Sequence, residues 1–134
     1  MIRGVGMDLC DIERMEKAIE RPRFLERVYT ERERARILAA NGTRRGEIAA
    51  GLFAAKEAVA KALGTGFNGF GPEDIEITPD ALGRPTCTLY KKAAGLAEGG
   101  RVHVSITHER GMAGATAVLE EEGCNGEWKM ENGE

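Results

Sequence analysis

The first nine residues alternate. In Met1-Ile-Arg-Gly-Val-Gly-Met-Asp-Leu9, every second position falls on the same side of an extended chain. This predicts a strand over about 2–9, with Ile2, Gly4, Gly6 and Asp8 on one face and Arg3, Val5, Met7 and Leu9 on the other. Glycine weakens a strand, so two on one face require that a backbone or a ligand come close. The period then becomes helical. A helix is expected over about 11–20, and a short turn or helix near Arg23–Arg27 after Pro22. Thr30 with Glu33 is a capping-box pattern that opens a charged helix of about 31–40, closed by Asn41-Gly42. Thr43 starts a long helix of roughly 44–63. Ile48, Leu52, Ala55, Val59 and Leu63 recur along it at helical spacing and form a stripe for a core. Gly64, Gly66, Gly69 and Gly71 follow as a flexible connection.

The second half returns to alternation. Asp74–Thr78 is a strand, Asp80–Pro85 a turn and 85–90 the returning strand. A short helix near 91–98 stops at Gly99-Gly100, and strands over about 101–108 and 113–120 complete the pattern. The fold class is α+β: a largely antiparallel sheet, covered on one face by a helical block with one long helix. One domain spans 1–120. Residues 121–134 hold the chain's one tryptophan, Trp128, but are mostly polar, and low apolar content predicts a disordered tail.

Composition narrows the field. A chain of 134 residues is one domain by default, and 42% hydrophobic content supports a modest core. Aromatics are only 5%, so a domain this small gains from burying surface between subunits. The net charge of −3 argues against a general nucleic-acid binder. No apolar run approaches the ~20 residues of a membrane span, and Asp8 interrupts the stretch where a signal peptide would be apolar. Cys10, Cys87 and Cys124 are odd in number, with no paired spacing for zinc. Reduced thiols in a cytoplasmic protein are the expectation.

Candidate chemistry rests first on Glu57 and Lys61, one helical turn apart beside the apolar stripe. An arbitrary Glu–Lys pair at this spacing is more often a solvated ion pair than a site. Asp8 is the second candidate, at the end of the glycine-lined face. It is read equally as a helix N-cap, although Asp11 is available for that task.

Together these segments resemble a known family. Gly4-Val-Gly-Met-Asp8 with Ile12-Glu-Arg14, then Phe53-Ala-Ala-Lys-Glu57 with Lys61-Ala-Leu-Gly-Thr-Gly66, are similar in order and spacing to holo-acyl-carrier-protein synthase, the small class of phosphopantetheinyl transferase. Val102-His-Val-Ser-Ile-Thr-His108, followed by Ala113–Leu119, extends the likeness over about residues 1–120. The resemblance implies the phosphopantetheinyl-transferase fold and a homotrimer with sites between subunits. It also implies Mg2+-dependent transfer of the 4'-phosphopantetheine arm of coenzyme A to a serine of apo acyl carrier protein, releasing adenosine 3',5'-bisphosphate.

Magnesium takes one or two carboxylates together with phosphate oxygens and waters. Asp8 and Glu57 match that pair, and Lys61 is placed to meet phosphate charge. Gly64 and Gly66 let backbone approach the nucleotide. Arg84, Pro85 and His108 match the family's other coenzyme contacts, His108 from across a subunit interface. His103 alternates away from Val102, Val104 and Ile106 and is expected on the surface. The family docks the acidic carrier protein on the first helix, which implies Arg14, Arg21 and Arg23 with Phe24 and Met15. Here Glu13, Glu16 and Glu20 interleave, and the sequence by itself favours a mixed solvated face. Two alternatives stand beside this reading. One is a non-catalytic α+β interaction module, which would leave Asp8 and Glu57 far apart or bury either of them in an ion pair. The other is a transferase serving other carrier proteins; its two-domain class is longer than this chain.

Overall fold

The computed structural model describes residues 1–121. The proposed tail beyond them, with Cys124 and Trp128, lies outside the described residues. The chain runs β1 (Ile2–Asp11), α1 (Ile12–Ala18), α2 (Pro22–Val28), α3 (Glu31–Ala39), α4 (Thr43–Ala62), a 3-10 turn (Pro72–Asp74), β2 (Ile75–Pro79), β3 (Pro85–Leu89), α5 (Lys91–Ala97), β4 (Arg101–Glu109) and β5 (Met112–Glu120). This is the expected α+β class. The strands form two sheets where one was expected. β1, β5 and β4 make an antiparallel sheet with β5 in the centre, and β2 and β3 make a separate hairpin.

The long helix α4 lies across β1 and β5. The strand residues beneath it are small: Gly6 stands opposite Ala117, Asp8 opposite Ala115 and Cys10 opposite Ala113. A methyl group on Gly4 would collide with the carbonyl of Ala62, and one on Gly6 with that of Ala58. The two strand glycines therefore make room for a backbone. Helix and strand sit closer than side chains allow, as their spacing suggested.

The expected single stripe on α4 is too narrow. Leu52, Ala55, Val59 and Leu63 are buried, but so are Ala49, Lys56 and Ala60 on other sides. A helix buried nearly all round is a central element. One side meets the sheet, α1 packs against another, and α3 and β2 close a third.

Boundaries follow local chemistry. β1 runs two residues further than its alternation predicts, because Cys10 and Asp11 still pair with Ala113 and Met112. Asp11 then caps α1, accepting from the Arg14 N–H at 2.9 Å. Asp8 is thus not the cap. Thr30 and Glu33 form both halves of the predicted capping box. Met15, an expected docking contact, is mostly buried, its sulfur 3.4 Å from a Tyr29 hydroxyl that donates to the Ala49 carbonyl at 2.7 Å, and it also lines the groove beside α1.

Candidate active site

Asp8 and Lys61 meet across the joint between β1 and α4. The Lys61 ammonium lies 3.2 Å from Asp8 Oδ1 and donates to the Met7 carbonyl at 2.8 Å. Gly6 permits this reach, since a side chain there would strike Lys61 Cβ. Glu57, one turn earlier on α4, faces the same joint. Burial raises its pKa, the Asp8 charge raises it further, and Lys61 opposes both. Cys10 feels the same field: burial and then the Asp8 carboxylate push its thiol up to about 11. A half-buried carboxylate that a second carboxylate makes costlier to ionise, with one lysine offsetting it in part, forms a cation-seeking group. No cluster of three His, Cys, Asp or Glu occurs among the described residues. The donor set fits magnesium, which binds through one or two carboxylates and keeps waters or phosphate oxygens.

Past Lys61 the helix ends in left-handed turns. Gly64 has φ 92° and Gly66 φ 61°, with N–H groups donating to the carbonyls of Lys61 at 3.0 Å and Ala60 at 3.2 Å. Open space surrounds both glycines where a side chain would stand. They are required for conformation, and they leave bare main chain in the turn that follows Lys61.

His108 lies elsewhere. It lines a cavity of about 200 Å³ with Arg36, Arg44, Glu47, Gly83 and Pro85. Glu47 stands between Arg44, at 3.5 Å, and His108 Nδ1, at 3.9 Å. Burial and then the charge of Arg44 lower the Arg36 pKa. Arg84 is held in the β2–β3 turn, its backbone N–H and its Nε both donating to Asp80 at 2.9 and 3.0 Å. It faces a neighbouring cavity that Pro85 also lines. One chain does not join this cluster to the carboxylate pair. Glu47 and Glu57 are ten residues apart on α4, roughly 15 Å, and β5 separates Asp8 on β1 from β4.

Three of the four residues expected to dock a carrier protein share one groove. Arg14, Arg21 and Phe24 line a groove of about 670 Å³ that starts at Leu9 and Cys10, just past Asp8, and whose walls also carry Glu13 and Lys17. Arg21 stacks 5.8 Å above the Phe24 ring, and Phe24 stacks on Phe53. Arg23 faces an adjoining groove with Arg27. His103 sits on the surface as expected, 2.9 Å from Glu120.

Sequence reasoning missed Arg36, Arg44 and Lys56. A signal existed for two of them. Arg44 occupies the first turn of α4, where the helix dipole disfavours a cation. Lys56 interrupts a run of buried alanines, where an unpartnered ammonium would not survive.

A family model for the 4'-phosphopantetheinyl transferase superfamily matches residues 4–115. The chain belongs to that superfamily. A holo-[acyl-carrier-protein] synthase of Clostridium acetobutylicum is 47% identical over 90% of this chain and 98% of its own. One from Solidesulfovibrio magneticus is 49% identical over 90% and 99%. Among solved structures, the holo-(acyl-carrier-protein) synthase of Bacillus anthracis in complex with CoA (3',5'-ADP) superposes with a TM-score of 0.80, at 38% identity over 91% of this chain and 99% of that one. The Helicobacter pylori synthase in complex with coenzyme A gives 0.76, at 31% identity over 87% and 99%. This chain is therefore a transferase of the holo-[acyl-carrier-protein] synthase type, with the phosphopantetheinyl-transferase fold. No helix among the transferase's described residues is long and apolar enough to cross a membrane.

Proposed function

We propose that this transferase moves the 4'-phosphopantetheine group of coenzyme A to a serine of an apo acyl carrier protein, with Mg2+, releasing adenosine 3',5'-bisphosphate. The observation that carries the reading is the Asp8–Glu57–Lys61 group at the end of a bare glycine turn. In the reaction the serine oxygen bonds to the β-phosphorus, the bond from that phosphorus to the bridging oxygen breaks, the oxygen leaves on the α-phosphate of adenosine 3',5'-bisphosphate, and the hydroxyl proton passes to water. Asp8 and Glu57 would hold magnesium, which when bound neutralises pyrophosphate charge. Lys61, already fixed by Asp8 and the Met7 carbonyl, places a second cation at that charge. Gly64 and Gly66 admit the nucleotide against main chain.

The His108 cluster supplies the remaining coenzyme contacts, Arg84 and Pro85 included, from a neighbouring copy of the chain. We read the assembly as a homotrimer with shared sites. An uncovered apolar face supports it: Val5, Met7 and Leu9 are 62%, 65% and 69% exposed on the side of β1 away from α4. Arg14, Arg21, Arg23 and Phe24 receive the acidic carrier protein beside Asp8. Apo carrier protein incubated with the chain, coenzyme A and magnesium is expected to gain the mass of the arm at one serine. An unmodified carrier would overturn the assignment.

A further inference from the structure

Lys56 is fully buried and turns away from Glu57, toward α3 and β2. Its ammonium pairs with Glu33 at 2.7 Å and donates to the carbonyls of Pro72, at 2.8 Å, and Ile75. These carbonyls bracket the 3-10 turn that ends the glycine loop 64–71. The loop leaves α4 at Leu63 and is fastened back onto α4 at Lys56, about two turns earlier. Asp74 strengthens the same end by accepting from the Gly71 N–H at 3.2 Å. Inside the loop, Phe67 and Phe70 meet edge to face at 5.5 Å, with Phe70 buried.

Packing alone does not explain a lysine here. A buried ammonium carries a desolvation cost of several kcal/mol unless its partners offset it. A methionine would fill the same space without that cost. What only a cation with several N–H donors provides is a grip on two main-chain carbonyls at once, balanced by a carboxylate. Glu33 is itself fixed, since it accepts from the Thr30 N–H at 2.8 Å and the Ile77 N–H at 2.7 Å. The far end of the loop is thus tied through Lys56 to the helix that carries Glu57 and Lys61.

We propose that Lys56 is a positioning residue for coenzyme A, fastening the return of loop 64–71 so that the main chain at Gly64 and Gly66 keeps its place at the end of α4, just past Lys61. The proposal rests on the assignment of that loop to the coenzyme site.

Lys56→Met in the full chain tests it through two readouts, amide hydrogen exchange and the separate KM values for coenzyme A and carrier. Exchange in 64–71 is expected to rise about tenfold while α4 keeps its protection. KM for coenzyme A is expected to rise about fivefold, with the carrier KM within about twofold of wild type. Unchanged loop exchange overturns the clamp. Faster loop exchange with an unchanged coenzyme KM removes the loop from the coenzyme site, and the proposal falls with that assignment. If Lys56→Met does not fold, Asp74→Ala frees the Gly71 N–H without stranding Glu33. It must speed exchange in 69–71 and raise the coenzyme KM by about twofold; if either stays put, Lys56 only holds the fold together.

Discussion

The chemistry of this transferase is concentrated in two carboxylates of unequal standing. Asp8 is paired with Lys61, whereas Glu57 is half-buried and pushed toward its protonated form by burial and by Asp8. Each supplies a charge to the proposed metal. Asp8→Asn and Glu57→Gln are expected to lower transfer by more than the ~10–100-fold typical of losing a residue that only supports a metal ligand. Circular dichroism should show both variants folded, and either one keeping full activity at ordinary magnesium leaves the metal site. The raised Glu57 pKa also sets a direction for pH. A carboxyl that holds its proton more tightly in the folded chain favours folding at low pH, and that contribution is lost as pH rises through the raised pKa. The same proton competes with a cation. Magnesium affinity, measured by calorimetry, should therefore begin to fall with acidification while the pH is still above the ordinary carboxylate range, and Glu57→Gln should remove that step. A profile identical in the two proteins counts against Glu57 as a ligand.

At the scale of elements, the joint between β1 and α4 decides where those carboxylates stand. Gly6→Ala forces a methyl against the Ala58 carbonyl and the root of Lys61. Overpacking of this kind costs about 1–3 kcal/mol, so the urea midpoint should drop and transfer with it. An unshifted midpoint would mean that the joint is looser than drawn. The first two helices carry the carrier-protein proposal. Reversing Arg14 or Arg21 should raise the carrier KM several-fold, about 1 kcal/mol for each exposed charge, and leave the coenzyme KM nearly unchanged. Added salt should weaken wild-type carrier binding in the same sense. If neither reversal moves the carrier KM, the groove beside Asp8 is only a solvated face.

Much of this was legible in the sequence because it is local. The capping box at Thr30, the stop at Gly64 and the alternation of β1 each follow from a few adjacent residues. The separation of the β2–β3 hairpin from the main sheet was not legible, since strand pairing is settled by what α4 leaves uncovered. Lys56 was passed over for the same reason: its partners, Glu33, Pro72 and Ile75, are all distant in sequence. Arg36 joins Arg44 only because α3 folds back along α4. Two motifs and their spacing singled out Asp8, Glu57 and Lys61 together; in the fold Lys61 meets Asp8, and Glu57 feels the charge of both.

At the scale of the whole molecule, the described residues form a sheet with one face filled and the other bare. Val5, Met7 and Leu9 form the bare apolar edge, and the two halves of the proposed site lie on different flanks of α4. Three copies that cover this face would bring unlike halves together. Light scattering is expected to give the mass of three chains. Leu9→Glu, which places a charge on the exposed face without touching the core beneath α4, should give single chains with little activity. An active single chain would refute the shared site.

The glycine joint has a consequence for how such a site can change. A cavity walled by side chains is adjustable in small increments, one methylene at a time. Here the span between strand and helix is gauged by main chain against main chain, at Gly4 with Ala62 and Gly6 with Ala58. No smaller residue exists to bring them nearer, and any larger one parts them. The opening between Asp8 and Glu57 thus behaves as a ruler with one mark. Variation can alter what surrounds it, but a different opening requires the strand to slip by a full two-residue register, because a slip of one would turn Asp8 to the opposite face.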